Sequence, residues 1–181
     1  MLSEGELSTP SPWCPHPEMW SAEDAQSAEV EVSALVGAFV RALKPALVIE
    51  TGTAHGFTAH AIGLALRDNG HGRLVTLEVD ATLVDESRHR CEGLPVEVIH
   101  RPSLTYKPDE PVGFAWFDSL IELRITEFDH YRNWMEPGTI VGFHDVGPQF
   151  GQLGPNIARH PGLHSIFLRT PRGVCFGEVA G

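Results

Sequence analysis

The chain has no cysteine pair at a spacing that binds zinc or shuttles electrons; Cys14, Cys91 and Cys175 are widely separated and odd in number. A disulfide framework is therefore not expected, and the three read as reduced thiols of a reducing compartment. No stretch approaches the roughly 18 apolar residues of a membrane span. The opening MLSEGELSTPSPWCPHPEMW has neither the basic start nor the apolar run of a secretory signal. A cytoplasmic protein with no membrane partner is expected. Lys and Arg form no cluster, and the net charge of -11 gives a field that repels phosphate backbones, so nucleic acid is not the expected partner. Internal repeats and low-complexity tracts are also lacking.

What is present is an ordinary globular composition of 181 residues, 42% hydrophobic and 20% charged, enough to bury one core without staples. Residues 1–20, rich in Pro, Ser and Glu, are expected to form an irregular arm, and residues 21–181 a single domain. The arm carries apolar Trp13, Met19 and Trp20, which suggest a homodimer in which it packs on a neighbour. Ser21-Ala22-Glu23-Asp24 fits a capping box, and Val32, Leu35, Val36, Phe39, Val40 and Leu43 recur at helical spacing until Pro45. Downstream, residues 46–50, 73–78, 96–100, 113–117 and 139–143 read as strands, most of them separated by helices. Leu47-Val48-Ile49 and Ile140-Val141-Gly142-Phe143 are continuously apolar, as strands covered on both faces are. An α/β doubly wound, mostly parallel sheet follows. Residues 165–169 and 174–179, joined by Thr170-Pro171-Arg172-Gly173, read as a hairpin, so a seven-stranded sheet with an antiparallel C-terminal strand is predicted. Between the third and fourth strands, RPSLTYKPDEP carries Pro102, Pro108 and Pro111, and an irregular crossover is expected in place of a helix.

Chemistry concentrates where the first strand ends, at Glu50-Thr51-Gly52-Thr53-Ala54-His55-Gly56-Phe57-Thr58. Two glycines permit a tight turn and close approach of a ligand at the carboxyl end of the sheet. The spacing Gly52-x-x-x-Gly56 is not that of a dinucleotide turn, and a carboxylate at Glu50 would repel a diphosphate but suit an ammonium group. That disfavours a nicotinamide or flavin oxidoreductase. Glu78 ends the next strand, where a carboxylate commonly accepts ribose hydroxyls.

The segments VIETGTAHGFTA and LVTLEVD resemble the first two motifs of class I S-adenosylmethionine-dependent methyltransferases. WFDSL and MEPGTIVGFHDVG are similar to the fourth- and fifth-strand motifs of the small-molecule, metal-dependent O-methyltransferases of that superfamily, the branch that includes catechol and macrolide-sugar enzymes. The resemblance implies a Rossmann-like sheet. It implies S-adenosylmethionine as cofactor, with Glu50, Gly52, Thr53, Ala54, Gly56 and Thr58 around its methionine part, Glu78 on its ribose and Ser103 near its adenine. Asp118 would face the methyl-transfer site, and the acceptor would be a small hydroxylated molecule.

Asp118 and the His144-Asp145 pair each end a predicted strand, which brings them to one crevice. Two carboxylates and an imidazole form a donor set for a divalent metal, magnesium or a softer one, with Asp118 and His144 also as catalytic residues. The other reading makes the acids caps and His144 a hydrogen-bonded pocket residue. The resembling branch carries a His or Lys base near position 121, where this chain has Ile121. Substitute bases are His144, His55 and His130. The missing base is the main support for an alternative function, a non-catalytic S-adenosylmethionine-binding module with a regulatory or oligomerisation role.

Overall fold

The computed structural model describes residues 13–181, so the first part of the expected arm, residues 1–12, lies outside the described residues. The chain runs α1 (Val30–Leu43), β1 (Leu47–Thr51), α2 (Phe57–Asn69), β2 (Arg73–Glu78), α3 (Ala81–Arg90), β3 (Val96–His100), β4 (Phe114–Phe117), α4 (Arg124–Tyr131), β5 (Ile140–His144), α5 (Leu153–Ala158), β6 (Leu163–Leu168) and β7 (Val174–Val179). The strands form one seven-stranded sheet in the order β3-β2-β1-β4-β5-β7-β6. The first five run parallel, and β7 pairs antiparallel with both β5 and β6. This is the predicted doubly wound sheet with its C-terminal hairpin. The strand order reverses between β1 and β4, which opens a crevice at their carboxyl ends, the place where such sheets bind ligands.

Each face of the sheet buries its own core. Leu47, Ile49, Phe117, Phe128, Phe143 and Ile157 fill one face, and Val36, Val40, Val48, Ile62, Phe114 and Trp116 the other. Alternate residues of β1 and β4 thus feed opposite layers, which is why those strands are continuously apolar in sequence. All five residues of β1 are buried.

Two expectations are revised. The leading helix starts at Val30 rather than beside the Ser21 capping box. Asp24 instead accepts the backbone N–H groups of Gln26 and Ser27 at 2.8 and 2.7 Å, an Asx turn that holds the segment out of helix. Trp13 donates its indole N–H to Thr170 O at 3.1 Å and Trp20 packs against the helical core, so two of the three apolar arm residues are satisfied within their own chain. Of the three, Met19 alone stays exposed, which weakens the motive for an arm-swapped homodimer. All three cysteines are buried and none forms a disulfide, and burial pushes the thiols of Cys91 and Cys175 up to about 12, leaving these two inert near neutrality. The crossover from β3 to β4 is irregular as predicted, with only a short 3-10 turn at Ser103–Thr105. No helix among the described residues is long and apolar enough to cross a membrane.

Candidate active site

The turn after β1 is built on three residues with positive φ: Gly52 (80°), Ala54 (46°) and Gly56 (80°). A Cβ on Gly52 would collide with the backbone of Asp118 and Ser119, so this glycine lets the turn lie against the end of β4. Gly56 caps α2, and a Cβ there would stand 2.8 Å from that of Ser87. It borders neither cavity described below, although its neighbours Phe57 and Thr58 line the smaller one, and its close approach to Ser87 is a helix-packing contact. Ala54 tolerates a left-handed conformation despite its Cβ, and its N–H points at Glu78 Oε2, 2.8 Å away. Glu78 Oε1 accepts the N–H groups of Val79 and Asp80 at 2.8 and 3.0 Å. A carboxylate offers about four lone-pair directions. One direction is left on Oε2, and Glu78 borders the main cavity described below.

Glu50 is buried on β1, where it accepts a 2.6 Å hydrogen bond from Thr76 Oγ1, itself 2.6 Å from Thr53 Oγ1. Burial raises its pKa to about 8; the Thr76 bond opposes the rise, and the charges of Asp118 and Glu78 add to it. The carboxyl is therefore protonated at neutral pH and lacks a positive neighbour. Glu50, Thr53 and Thr58 line a small cavity of about 30 Å³ together with Gly52, Ala54 and Asp118. A ligand ammonium placed there would supply the missing charge.

The main cavity, about 520 Å³, starts at Gly52, Ala54, Glu78 and Ser103 and continues to Asp118, Ile121, Arg124, Phe150 and Arg172. Asp118 borders both cavities, at the junction between them. Ser103 is held by a 2.6 Å bond from Tyr131 Oη to its carbonyl. Glu127, buried on α4, accepts the hydroxyls of Ser103 (2.5 Å), Ser119 (2.7 Å) and Thr51 (2.8 Å). A hydroxyl has one proton, so Ser103 and Ser119 present only lone pairs to the cavity and fit a ligand amino group there. Sequence reading reached Ser103 but not Glu127, because an acid on a short amphipathic helix carries no sign of burial.

Asp118, His144 and Asp145 do gather at the ends of β4 and β5, with donor atoms within 4.8 Å of one another. Asp145 has φ of 55°, a left-handed turn that asparagine and aspartate tolerate best. Their partners decide what they are. His144 is fully buried, with Nδ1 3.1 Å from Asp118 Oδ1 and Nε2 2.7 Å from Glu29 Oε2. Burial opposes its charge, but Asp118 and Asp145, with the bonds to Asp118 and Glu29, outweigh burial and raise its pKa to about 10. Carboxylates on both sides of the ring favour an imidazolium that donates from both nitrogens.

Burial also opposes the charge on Asp145, yet His144, Arg124 and Arg172 hold its pKa down to about 2. Glu29 is likewise held below its usual range: burial is overcome by His144 and by the Arg172 backbone N–H, which lies 2.9 Å from Glu29 Oε1. Arg124 Nη2 bridges the two acids, 3.1 Å from Asp118 Oδ1 and 2.9 Å from Asp145 Oδ2. Arg172 meets Asp145 with Nε at 2.7 Å and Nη2 at 3.1 Å.

This donor set does not fit a resident divalent metal. Both ring nitrogens of His144 are already engaged, by Asp118 at 3.1 Å and Glu29 at 2.7 Å, and a divalent ion about 4 Å from a guanidinium meets roughly 8 kcal/mol of repulsion at an effective dielectric of 20. His144 also borders neither cavity, and a ring held between Asp118 and Glu29 suits orienting Asp118 better than the expected roles of metal ligand and general base. The substitute bases fare no better: His55 pairs with Glu86 at 2.7 Å, His130 with the Tyr106 carbonyl at 2.7 Å, and neither borders the main cavity. Glu29, Arg124 and Arg172 escaped sequence reading. One local signal existed for Arg124, a cation in the first turn of a helix, where the dipole disfavours it.

A doubly wound sheet whose switch point carries a glycine turn, an acid on each of three adjacent strands and a nucleoside-sized cavity defines an α/β group-transfer enzyme. More particularly, the chain belongs to a methyltransferase family, whose methyltransferase-domain model matches residues 49–146. No curated protein sequence matches. Among solved structures, it is similar to the O-methyltransferase TomG from Streptomyces achromogenes, involved in tomaymycin synthesis and solved with SAM, at 19% identity over 86% of this chain and 82% of that one, TM-score 0.70. The O-methyltransferase from Bacillus cereus, solved with SAH, matches at 19% identity over 86% and 83%, TM-score 0.70. Cofactor-bound Rv0187 from MTB matches at 18% over 86% and 82%, TM-score 0.75. At such identities the likeness establishes the fold.

Proposed function

We propose that the chain is a class I S-adenosylmethionine-dependent O-methyltransferase acting on a small molecule with an apolar body and a hydroxyl group. The observation that carries this reading is the continuous cavity of about 520 Å³, which joins Glu78 and Ser103 at one end to Asp118, Arg124 and Phe150 at the other. Its size leaves room for a nucleoside and a small acceptor side by side. The solved relatives with bound SAM or SAH support the choice of cofactor. The net charge of -11 favours a small acceptor over nucleic acid. Three buried cysteines without a disulfide suit a cytoplasmic setting.

When bound, the cofactor supplies a methyl group on a sulfonium, for transfer to an acceptor oxygen that gives up its proton. Glu50 holds the cofactor's ammonium, Glu78 the ribose, and Ser103 and Ser119 the adenine amino group. Asp118 Oδ1 is occupied by His144 and Arg124, whereas Oδ2 has no partner among the described residues. Asp118 Oδ2 accepts the acceptor hydroxyl's hydrogen bond and takes its proton as the new C–O bond forms. Leu120, Ile121, Leu123 and Phe150 line the acceptor end and offer contact to an apolar body. Catalysis is largely positioning. No observation favours the non-catalytic reading. The test is calorimetric binding of S-adenosylhomocysteine, followed by transfer of labelled methyl to a panel of phenols, sugars and hydroxy acids. Binding without transfer to any hydroxylated acceptor would defeat the O-methyltransferase reading.

A further inference from the structure

Between Asp118 and Asp145, where a bridging cation would stand, lies the guanidinium of Arg124. It is fixed independently of those acids, with Nε and Nη2 donating to Ser119 O at 2.9 and 2.7 Å and Nη1 donating to His144 O. Arg172 is fixed too: Nη1 reaches Ser27 O at 2.9 Å and Gln26 O at 3.3 Å. Neither side chain is a surface arginine that has swung inward, since they are only 3% and 11% exposed. Charge balances where a metal would stand: Asp118 and Asp145 face Arg124 and Arg172, two acids against two guanidiniums. A neutral cluster exerts no net pull on a divalent ion. Each guanidinium also keeps one N–H without a partner among the described residues, on Arg124 Nη1 and Arg172 Nη2, and both side chains border the main cavity.

We infer that Arg124 and Arg172 take the place of a divalent cation in this site, neutralising Asp118 and Asp145 and presenting positive N–H donors to the acceptor's oxygen. A metal with two open positions selects a vicinal pair of oxygens. Two separately anchored guanidiniums do not demand chelation, so the site takes acceptors with a single hydroxyl, including those that carry a carboxylate beside it. The acceptor statement rests on the methyl-transfer reading, whereas the cation statement does not and is tested without turnover.

Chelator-treated full-length protein is titrated with Mn²⁺ and followed by electron paramagnetic resonance. The wild type is expected to take up no stoichiometric Mn²⁺ below 1 mM. Arg172→Leu uncovers Asp145 and leaves the cluster one charge negative, so it should bind Mn²⁺ at least ten-fold more tightly than the wild type. Arg172→Gln keeps a donor for the Ser27 carbonyl and serves if the leucine variant does not fold. Saturation of the wild type at one Mn²⁺ per chain, lost in Asp145→Asn, overturns the inference. So does the absence of any gain in a folded Arg172 variant. If the Mn²⁺ results hold but S-adenosylhomocysteine does not bind, the methyl-transfer reading fails while the cation assignment stands. For the acceptor, single-hydroxyl and vicinal-dihydroxyl compounds of equal size are compared with and without chelator. A requirement for the vicinal pair, or loss of turnover on chelation, overturns the acceptor statement.

Discussion

The two ends of the main cavity are built in different ways. The end at Gly52, Ala54 and Glu78 comes from one strand–turn–helix unit and the neighbouring strand, and its key bonds are backbone N–H groups converging on a single carboxylate. The end at Asp118 is assembled from the segment before α1, the tips of β4 and β5, the start of α4 and the turn before β7, and it is held by charge pairs. Damage to the first end should cost ligand affinity more than stability. Damage to the second should cost stability first, because removing one partner of a buried ion pair strands the others without water.

The largest effect should follow Asp145→Asn, which leaves Arg124, Arg172 and His144 with one counter-charge fewer. A loss of about 3–5 kcal/mol is expected for breaking a buried pair. Thermal denaturation should show a Tm lower by roughly 10 °C. A change of only a degree or two would mean that the cluster is not a structural unit and would erase the contrast between the ends. At the other end, Glu78→Ala should weaken S-adenosylhomocysteine binding by about 1.5–3 kcal/mol, the range for charge-assisted hydroxyl contacts, in a protein that still melts cooperatively. Calorimetry on the folded variant measures this, and unchanged affinity would remove Glu78 from the ribose.

Glu50→Gln sharpens the comparison through pH. An ordinary glutamate titrates near 4.5 but the native Glu50 near 8, so between those values the native state binds more protons than the unfolded chain. Wild-type stability contributed by this group therefore falls as pH rises from about 4.5 to 8. Glutamine has no such slope. The variant's Tm should match the wild type near pH 5 and exceed it by a few degrees above pH 8, while its affinity for S-adenosylmethionine drops about ten-fold. A Tm gap independent of pH would show that Glu50 is ionised in the native protein. The smallest effect is expected for Glu127→Gln, whose amide lets Ser103 or Ser119 turn a proton toward the cavity. Affinity for the adenine ligand should fall by roughly 1 kcal/mol, while a hypoxanthine analogue loses less. Equal losses for the two would show that the hydroxyls do not read the amino group.

Much of the fold was legible because its signals are local. Continuous apolarity in β1 and β5 marked buried parallel strands, the three prolines of RPSLTYKPDEP ruled out a helix before β4, and Thr170 to Gly173 marked the hairpin turn. The capping box misled because Asp24 has a competing use in an Asx turn, which local sequence does not distinguish from a helix cap. Asp118, His144 and Asp145 were correctly brought together, yet as a bare triad they suited a metal, and only their neighbours made them an ion-pair network.

By itself the sequence determined the strand periodicity, the glycine turn and the placing of Glu50, Glu78, Asp118 and Asp145 at strand ends, since each depends on φ, ψ and burial within a few residues. Tertiary structure alone decided the charge state and role of that crevice. Glu29 reaches His144 across 115 residues and the Arg172 N–H across 143, and Arg124 reaches Asp145 across 21. No local pattern encodes such pairings, because they exist only once the sheet has brought the segments together and excluded water from between them.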